Sequence, residues 1–500
     1  MKTIDVRVHP SRAKLPREHQ LAWEIASYSA SRPKIDPEVS EMVACRIVDN
    51  AAVALAALNR QPVRSARAMA LARPRPGGAT LFGFSAALRV HAEWAAWANA
   101  TAVRELDFHD TFLAADYAHP GDSIAPILAV AQQLGADGGT LARAIAVAYE
   151  IHVALAKAIC LHCHKKDHIA HLCPATVAGL GALLGLETET IFQAVNQAVH
   201  LSFSTRQSRK GEISSWKAFV PGHSGKMAIE ALDRAMRGEG APSPVYEGED
   251  SVIAWMLAGP DAHYQVSLPE PGERPRQILE TYTKEHSAEY QAQALIDLAR
   301  EIRQDIDPSR ITEIVIHTSH HTHFVIGTGA NDPQKFDPAA SRETLDHSLM
   351  YIMAVALEDG RWHHDASYTE ERRNRQSTLR LWRAIRTTED ASWTRAYHAP
   401  NPTERAFGGR VEIRLDDGTV VEREKRVADA HPNGRSPWGF ADYVNKFEEL
   451  TRGIVELDER KAFFDRIRRL AALKSDDVIH LNPVAESPIR CDSPTGIADA

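Results

Sequence analysis

The sequence is poor in cysteine and has no excess of basic residues. It contains five cysteines among 500 residues, too few for a disulfide scaffold and typical of a reducing compartment. Lysine and arginine number 58 against 66 aspartates and glutamates, which leaves a formal net charge of −8. Such a chain has no general attraction for nucleic acid or an anionic membrane, so an anionic ligand needs a local basic pocket.

Long apolar runs are also scarce. The first twenty residues contain no apolar core of signal-peptide length. The apolar stretch 145–159 is interrupted by Glu150, His152 and Lys157, and we interpret it as too short to cross a bilayer. These features predict a cytoplasmic protein without a membrane or nucleic-acid partner.

The first half of the chain carries helical signals. From about residue 18 to about residue 237, apolar residues recur at helical spacing, as at Val43, Ile47 and Ala51. Many of these segments are rich in alanine, and small residues let helix axes approach closely. The pattern predicts a mainly α protein with a large all-helical domain.

The pattern changes after the Pro/Gly-rich segment 269–276. We expect helices over 292–302 and 345–357, and the β-branched run ITEIVIHTSH predicts a strand. The segment RVEIRLDDGTVVEREKRV predicts a hairpin, since two alternating runs flank Asp416-Asp417-Gly418. The combination of helices and strands after residue 276 therefore predicts an α+β unit.

Helical patterns return after the segment PWGF, with one helix expected over 459–473. We expect these helices to pack on the first domain, which makes the α+β unit an insertion. The predicted organisation is an all-helical domain of residues 1–275 completed by 431–481, an inserted α+β lid of residues 276–430, and a loose tail of residues 482–500.

The segment AKAICLHCHKKDHIAHLCP holds the densest group of thiols and imidazoles. Cys160-Leu-His-Cys163-His164 matches the haem-attachment pattern, but that chemistry belongs to exported chains. Zinc and iron–sulfur clusters also use these ligands, yet all of them fall within fourteen residues here. We favour a helix end with buried thiols and predict no metal and no cofactor; a metal-binding protein using Cys160–Cys173 is the alternative.

A second polar cluster lies in NATAVRELDFHDTFLAADYAHPGDS. It contains Asp107, His109, Asp110 and Thr111, followed by His119 in a loop before the next helix. Groups that take and return protons are gathered here, as acid–base catalysis requires. The alternative is a capping segment, in which Asp110 or Thr111 serves a helix start.

A third cluster is basic. Arg206, Arg209, Lys210 and Lys217 place four cations within twelve residues of an acidic protein. Arginine side chains and a helix N-terminus both favour carboxylates, so the segment is a candidate site for an anionic small molecule. The alternative is a solvated basic loop.

A fourth cluster precedes a predicted helix of the α+β unit. TYTKEHSAEYQAQALIDLA contains Lys284, His286 and Glu289 near the predicted domain junction, where concave ligand sites tend to form. The alternative is an ordinary polar helix start.

Taken together, these segments resemble the MmgE/PrpD family. The matching pieces keep their order over about residues 20 to 450, and the most specific are HPGDS and SAEYQAQ. The others are NATAVRELDFHDTF, KDHIAH upstream of LGL, ISSWKAF and DHSLMYIMAVAL.

The resemblance implies an all-helical domain with an α+β lid, an active site between them and a homodimer. It also implies a hydro-lyase that needs no iron–sulfur cluster and dehydrates 2-methylcitrate, a small tricarboxylate, in propionate catabolism. The family's active-site residues fall on Asp107, Thr111, His119, His168, Lys217 and Lys284.

The chemistry of such a substrate suggests roles for these residues. Lysines 217 and 284 are expected to bind carboxylates, with Arg206 or Arg209 as helpers. His119 and His168 are the acid and base candidates, because histidine titrates near neutral pH. Asp107 is expected either to orient a histidine or to act as the base.

Two positions depart from a decarboxylase of the same family. That enzyme has a histidine where this chain has Glu289 and a tyrosine where it has Gly329, and both differences fit the dehydratase branch better. The alternatives are citrate dehydration, cis-aconitate decarboxylation and a helical interaction scaffold without chemistry.

Overall fold

The computed structural model of the chain describes residues 1–211, 213–486, 489, 496 and 497. Helix is the predominant structure over these residues, so the prediction of a mainly α protein is confirmed. The first part of the chain carries the helices α1 Leu21–Ala30, α2 Pro37–Ala56, α3 Gln61–Leu71, α4 Ala92–Glu105, α5 Ile124–Leu134, α6 Gly138–Ala158, α7 Ile169–Leu184, α8 Thr188–Ser202, α9 Trp216–Met236 and α10 Val252–Met256.

Strands are present in this part as well, so the prediction that it is all-helical is wrong. They are β1 Lys2–Arg7, β2 Pro74–Ala79, β3 Phe112–Leu113, β4 Tyr117–Ala118 and β5 His263–Leu268. Strand β1 pairs antiparallel with β5. Ile4 and Val6 alternate with exposed neighbours along β1, and this period of two is typical of a strand with one buried face.

The second part combines helices with a mixed sheet of order β7-β6-β8-β9, in which β6 and β7 run parallel. Its elements are α11 Gln293–Asp305, β6 Ile311–Thr318, α12 His320–Val325, α13 Arg342–Leu345, α14 Leu349–Asp359, α15 Glu370–Arg373, α16 Gln376–Ala384, β7 Ile385–Glu389, α17 Ala391–Tyr397, β8 Gly409–Leu415 and β9 Val420–Lys425. The expected hairpin is confirmed, because β8 pairs antiparallel with β9. Gly418 in its turn has a φ of 83°, which favours glycine.

The chain ends in further helices, α18 Phe440–Leu450, α19 Leu457–Arg468 and α20 Ser475–Val478. Short 3₁₀ helices connect many elements; they are Arg17–His19, Pro120–Ser123, His162–His164, Arg206–Arg209, Gln277–Glu280, Tyr290–Ala292, Pro308–Arg310, Thr328–Ala330, Pro333–Phe336, Ala366–Tyr368, Pro402–Glu404 and Leu470–Ala472.

Buried apolar side chains form two large clusters. The first draws on both ends of the chain, from residues 4–278 and again from residues 443–481, and α18 and α19 both pack against α2. The second cluster uses residues 288–415. A smaller aromatic cluster lies between them and combines Phe112 of the first part with Tyr290 and Phe407 of the second. The two parts are therefore packed against each other through an apolar contact.

The predicted loose tail begins with packed residues. Asn482 is buried and its side-chain amide donates to the hydroxyl and carbonyl oxygens of Thr80. The backbone of Val484 pairs with Gly83. Most of residues 487–500 lies outside the described residues.

Helix α6 is 21 residues long with a mean hydropathy of 1.2, so it reaches the length and composition of a membrane span. The interpretation that this stretch is too short to cross a bilayer is therefore wrong on length. Of its most apolar window, 83% is buried inside the protein, which is how a core helix of a globular protein packs. Among the described residues no other helix meets both criteria.

Lys446 of α18 ties the end of the chain to the segments that carry the second and fourth clusters. Its buried ammonium lies 2.6 Å from Asp49 Oδ1 and donates to the carbonyl oxygens of Phe108 and Lys284, at 2.6 and 2.9 Å. Because both carbonyls adjoin site residues, this contact fixes the backbone on which the site is built.

We expect Lys446→Ala to lower the free energy of unfolding by about 3–5 kcal/mol, because it leaves the Asp49 carboxylate buried without its cation. Urea denaturation measures the change. Lys461→Ala is the matched control, since its ion pair with Asp458 is exposed, and it should change stability by less than about 1 kcal/mol. Equal effects of the two substitutions would contradict this account.

Candidate functional site

Asp107 lies just beyond the end of α4 in a left-handed backbone conformation, with φ of 49°. Aspartate tolerates this region better than most residues, and such strain is common at functional sites. Arg104, in the last turn of the same helix, reaches back and donates to Asp107 Oδ1 at 2.8 Å. The end of the helix therefore presents a buried ion pair.

Two lysines from distant segments complete the surroundings of the Asp107 carboxylate. Lys284 Nζ donates to Oδ1 at 2.8 Å and to the backbone carbonyl of Asp107 at 2.9 Å. Lys217 Nζ, in the first turn of α9, lies 3.3 Å from Oδ2. Burial alone raises the pKa of Asp107, but Arg104, Lys284 and Lys217 together hold it well below its ordinary value. The carboxylate is therefore charged and surrounded by cations.

Lys217 has a second anionic partner. Its ammonium donates to both carboxylate oxygens of Asp346 at 3.0 Å and lies 3.3 Å from His347 Nδ1. Burial raises the pKa of Asp346, but Lys217 and His347 outweigh it and lower the pKa to about 2. Arg342 Nη1 also lies 3.6 Å from Asp346 Oδ2. With Arg104, Lys217 and Lys284 it makes four cations facing these two carboxylates, so cations outnumber carboxylates in the cluster.

The ligand atoms of Asp107, Asp346 and His347 lie within 4.8 Å of one another, as in a metal site. Lys217 Nζ contacts all three residues at 3.0–3.3 Å. The ammonium thus provides the positive charge that a metal ion supplies in other clusters of this composition.

His119 faces the same region with a defined tautomer. Its Nδ1 lies 3.0 Å from the carbonyl oxygen of Asp110, and a carbonyl only accepts, so Nδ1 carries the hydrogen. Burial, Arg104 and Lys284 lower the pKa of His119 well below its ordinary value. The imidazole is therefore neutral at neutral pH, with the lone pair on Nε2 able to take a proton.

His168 lies behind His119, with ring centroids 5.5 Å apart. Its Nδ1 is 2.9 Å from Asp167 Oδ1 and its Nε2 is 3.5 Å from Asp122 Oδ2. Asp122 also lies 2.9 Å from His109 Nε2. Since both nitrogens of His168 face carboxylates, this ring is placed to support the position of His119.

Of the predicted basic cluster, Arg206 and Arg209 line the cavity, whereas Lys210 is exposed and does not. Arg206 Nε donates to Tyr117 Oη at 2.7 Å, and Arg209 Nε lies 3.5 Å from Asp167 Oδ2. Arg209 Nη1 is buried without a hydrogen-bond partner among the described residues. The Thr111 hydroxyl donates to the Ala118 carbonyl at 3.0 Å, which makes Thr111 a structural contact here.

These walls enclose a cavity of about 30 Å³. Sites for small-molecule ligands usually measure about 300–1,000 Å³, so a ligand of that class enters only when the walls separate. Of the residues expected at the site, the lining includes Asp107, His119, Arg206, Arg209 and Lys284. His168 and Lys217 do not line the cavity but contact residues that do, namely His119 for His168 and Asp107 and His347 for Lys217. Thr111 does not line it either.

Sequence reasoning missed other residues that line the cavity. They are Arg104, Tyr117, His321, Val325 and His347. Arg104 could have been found, because it precedes Asp107 by three residues on a predicted helix and faces the same side. His321 lies at the start of α12, and nothing in its local sequence distinguishes it from its neighbouring histidines.

Glu289 also lines the cavity, in the segment expected to contribute Lys284. Burial raises the pKa of Glu289 to about 7, although Lys284 and the N–H of Gln291 oppose the shift. Near neutral pH a substantial fraction of this carboxyl group is protonated and able to donate a proton.

The cysteine-rich segment lies beside the site. Cys160 and Cys163 are free thiols with their Sγ atoms 3.0 Å apart, whereas Cys173 is buried in α7. Within the described part of the chain, no three ligand atoms of this segment come within 4.8 Å of one another. The expectation of buried thiols therefore holds for Cys173 and is wrong for Cys163, which is exposed, while Cys160 is half-buried.

Comparison with known proteins gives a match over most of the chain. Residues 19–265 match the family model described as the MmgE/PrpD N-terminal domain, and residues 286–470 match the MmgE/PrpD C-terminal domain. The break between the two matches falls in the segment that leads to Lys284.

Several curated relatives are similar at low identity. A mitochondrial 2-methylcitrate dehydratase of Yarrowia lipolytica is 26% identical over 76% of this chain and 73% of its own length. A 2-methylcitrate dehydratase of Escherichia coli is 26% identical over 69% of this chain and 72% of its own. A fungal alkylcitrate dehydratase is 24% identical over 78% of both chains.

Proposed function

Because the chain belongs to the MmgE/PrpD family, we propose that it is a hydro-lyase that dehydrates 2-methylcitrate to 2-methyl-cis-aconitate. This reaction belongs to the 2-methylcitrate cycle of propionate catabolism, and we propose that it proceeds here without an iron–sulfur cluster. The observation that carries the proposal is the buried cluster of three cations around Asp107, next to a neutral His119.

The substrate is a tricarboxylate, and the site has charge to receive it. In the cluster around Asp107 and Asp346 cations outnumber carboxylates, and Arg206 and Arg209 line the same cavity. The unpartnered Nη1 of Arg209 offers a buried donor to a carboxylate. We assign carboxylate binding to Lys217, Lys284 and these two arginines, with Arg104 as an additional cation.

The elimination requires a base for the C–H beside a carboxylate. His119 lines the cavity and its Nε2 carries a lone pair, so we assign to Nε2 the removal of this proton while the electron pair forms the C=C bond. His168 keeps His119 in place from behind. Asp107 holds the ammonium of Lys284 and the guanidinium of Arg104, and these cations stabilise the negative charge that develops on the carboxylate.

The departing hydroxyl requires a proton. Glu289 lines the cavity and its pKa is raised to about 7 by burial, so the protonated carboxyl group can supply it and release water. Proton balance is restored when His119 returns its proton to solvent and Glu289 takes one up.

Dehydration is favoured over decarboxylation by the surroundings of Gly329. A Cβ atom at this position would overlap the ring of His323, so a tyrosine like that of the decarboxylase fits only if this ring moves. Glu289 likewise stands where the decarboxylase has a histidine.

The size of the cavity supports the proposed architecture. We propose that residues 276–430 form a lid inserted into the helical domain of residues 1–275 and 431–481. The lid supplies Lys284 and Glu289 and separates from the helical domain to admit substrate. A cytoplasmic homodimer is part of the same proposal, and sedimentation of the purified protein tests its assembly.

The direct test is an assay for the absorbance of the conjugated alkene product, with 2-methylcitrate, citrate and cis-aconitate as separate substrates. We expect turnover with 2-methylcitrate that is unchanged after treatment with chelator. Turnover of citrate alone, or release of carbon dioxide from cis-aconitate, would assign a sister activity instead. Stoichiometric iron or zinc lost together with activity would contradict the cofactor-free reaction.

Substitution of the histidines separates their roles. His119→Ala is expected to lower kcat by about 10²–10⁴-fold, because the base is removed. His168→Ala should have a smaller effect, since its ring does not line the cavity. Steady-state kinetics on both variants measures this difference, and near-wild-type kcat in His119→Ala would make Asp107 the leading base.

The pH dependence tests Glu289. As a general acid it must be protonated, so kcat should fall as pH rises through about 7, the value to which burial raises its pKa. Glu289→Gln should lower kcat and remove this decline, whereas Glu285→Gln, on a partly exposed side chain, is the matched control that keeps it. An unchanged alkaline limb in Glu289→Gln would exclude Glu289 as the acid.

A further inference from the structure

A turn after α6 brings two thiols together at the edge of the site. Cys160 and Cys163 flank Leu161 and His162, and their Sγ atoms are 3.0 Å apart. The turn contains the 3₁₀ helix His162–His164 and ends at Lys165, which has a φ of 57°. The backbone thus already places the two side chains close to the separation of a bonded pair.

The two thiols differ in access to solvent. Cys163 is exposed and Cys160 is half-buried, whereas Cys45 and Cys173 are buried. Burial and the nearby Asp116 carboxylate raise the pKa of Cys160. An oxidant in solution therefore meets Cys163 first, and Cys160 is placed as the second thiol.

The same turn contacts residues of one wall of the cavity. The Asp116 carboxylate accepts hydrogen bonds from the N–H groups of Leu161 and His162, at 3.0 and 3.4 Å. Asp116 directly precedes Tyr117, and the His162 ring lies 6.0 Å from the ring of Tyr117 and 4.8 Å from that of His321. Both of these rings line the cavity.

A second connection runs to the basic wall. The carbonyl oxygen of Lys165 accepts a hydrogen bond from the N–H of Arg206 at 2.8 Å, and Arg206 donates to Tyr117 Oη at 2.7 Å. Displacement of the turn therefore acts on Tyr117 and Arg206 together.

We propose that Cys160 and Cys163 are a redox modification site, oxidised reversibly to a disulfide by hydroperoxides, and that the oxidised turn distorts the cavity wall and lowers turnover. The Cys163 thiolate attacks a peroxide oxygen, which breaks the O–O bond and gives a sulfenic acid and hydroxide. The Cys160 thiol then forms the S–S bond and releases water. In total two thiols and one hydrogen peroxide give one disulfide and two waters, with two electrons passing from sulfur to oxygen.

The geometry explains how oxidation reaches the site. Disulfide sulfurs are about 2.05 Å apart, so the Sγ atoms must approach by about 1 Å. Leu161 and His162 lie between the cysteines. Formation of the S–S bond therefore shifts their two N–H groups, which donate hydrogen bonds to the Asp116 carboxylate. A displacement of about 1 Å near a reacting group lowers rates by up to about 10²-fold.

The test uses the full chain with Cys491→Ser, because Cys491 lies outside the described residues. Treatment with one equivalent of hydrogen peroxide should lower the mass by about 2 Da. Peptide mapping should place the bond at Cys160–Cys163, and dithiothreitol should reverse it. Cys163→Ser should abolish the change, and Cys45→Ser, at a buried thiol, is the matched control that should keep it. No loss of mass, or irreversible oxidation of Cys163, would overturn the proposal.

Hydrogen exchange tests the distortion without reference to any reaction. The amides of Leu161 and His162 should exchange at least about threefold faster in the oxidised protein, because their hydrogen bonds to Asp116 weaken. Unchanged exchange would overturn the coupling to the site even if the disulfide forms.

Turnover of 2-methylcitrate is the last readout, and it rests on the proposed function. It should fall by about 3- to 10-fold on oxidation and recover with dithiothreitol, while Cys163→Ser keeps its rate throughout. If the protein has no such activity, the mass and exchange results still decide the disulfide and its effect on the wall. Full turnover by the oxidised protein would contradict the proposal that oxidation inhibits the enzyme.

Discussion

The Asp107 carboxylate is the contact on which the arrangement of the site depends. It accepts hydrogen bonds from Arg104 in the last turn of α4 and from Lys284, and it lies 3.3 Å from Lys217 of α9. Isolated buried charges are costly, and each of these side chains is acceptable in the interior only because the others are present. Three segments far apart in the sequence are therefore held together by one anion. Lys446 stabilises the backbone next to this cluster, because its ammonium donates hydrogen bonds to the carbonyl oxygens of Phe108 and Lys284.

This cluster lies where the two parts of the chain meet. Arg104 and Lys217 come from the first part, while Lys284 comes from the segment that leads into the second. The internal carboxylates of Asp107 and Asp346 partly neutralise these cations. Under the proposed function, the substrate carboxylates would compete with these two internal carboxylates for the same cations.

Local sequence identified the elements and residues whose signals are local. The hairpin of β8 and β9 was predictable because its two alternating runs flank a turn, and Asp107, His119 and Lys284 were found through family motifs. Other features depend on contacts between distant residues. Strand β1 pairs with β5 more than 250 residues later, and Asp346 meets Lys217 across 129 residues. For Thr111 the family motif predicted contact with a ligand. In the structure its hydroxyl instead donates a hydrogen bond to the backbone carbonyl of Ala118.

The cations that suit the site to carboxylates also determine the protonation of its base. Arg104 and Lys284 oppose a positive charge on His119, and together with burial they lower its pKa well below the ordinary value. Because Nδ1 is committed to the Asp110 carbonyl, the nitrogen left unprotonated is Nε2, on a residue that lines the cavity. Glu289 experiences the opposite balance, since burial outweighs the attraction of Lys284 and raises its pKa to about 7. One buried electrostatic environment thus keeps a neutral imidazole and a partly protonated carboxyl group in the same cavity near neutral pH, which is the combination that the proposed elimination of water requires.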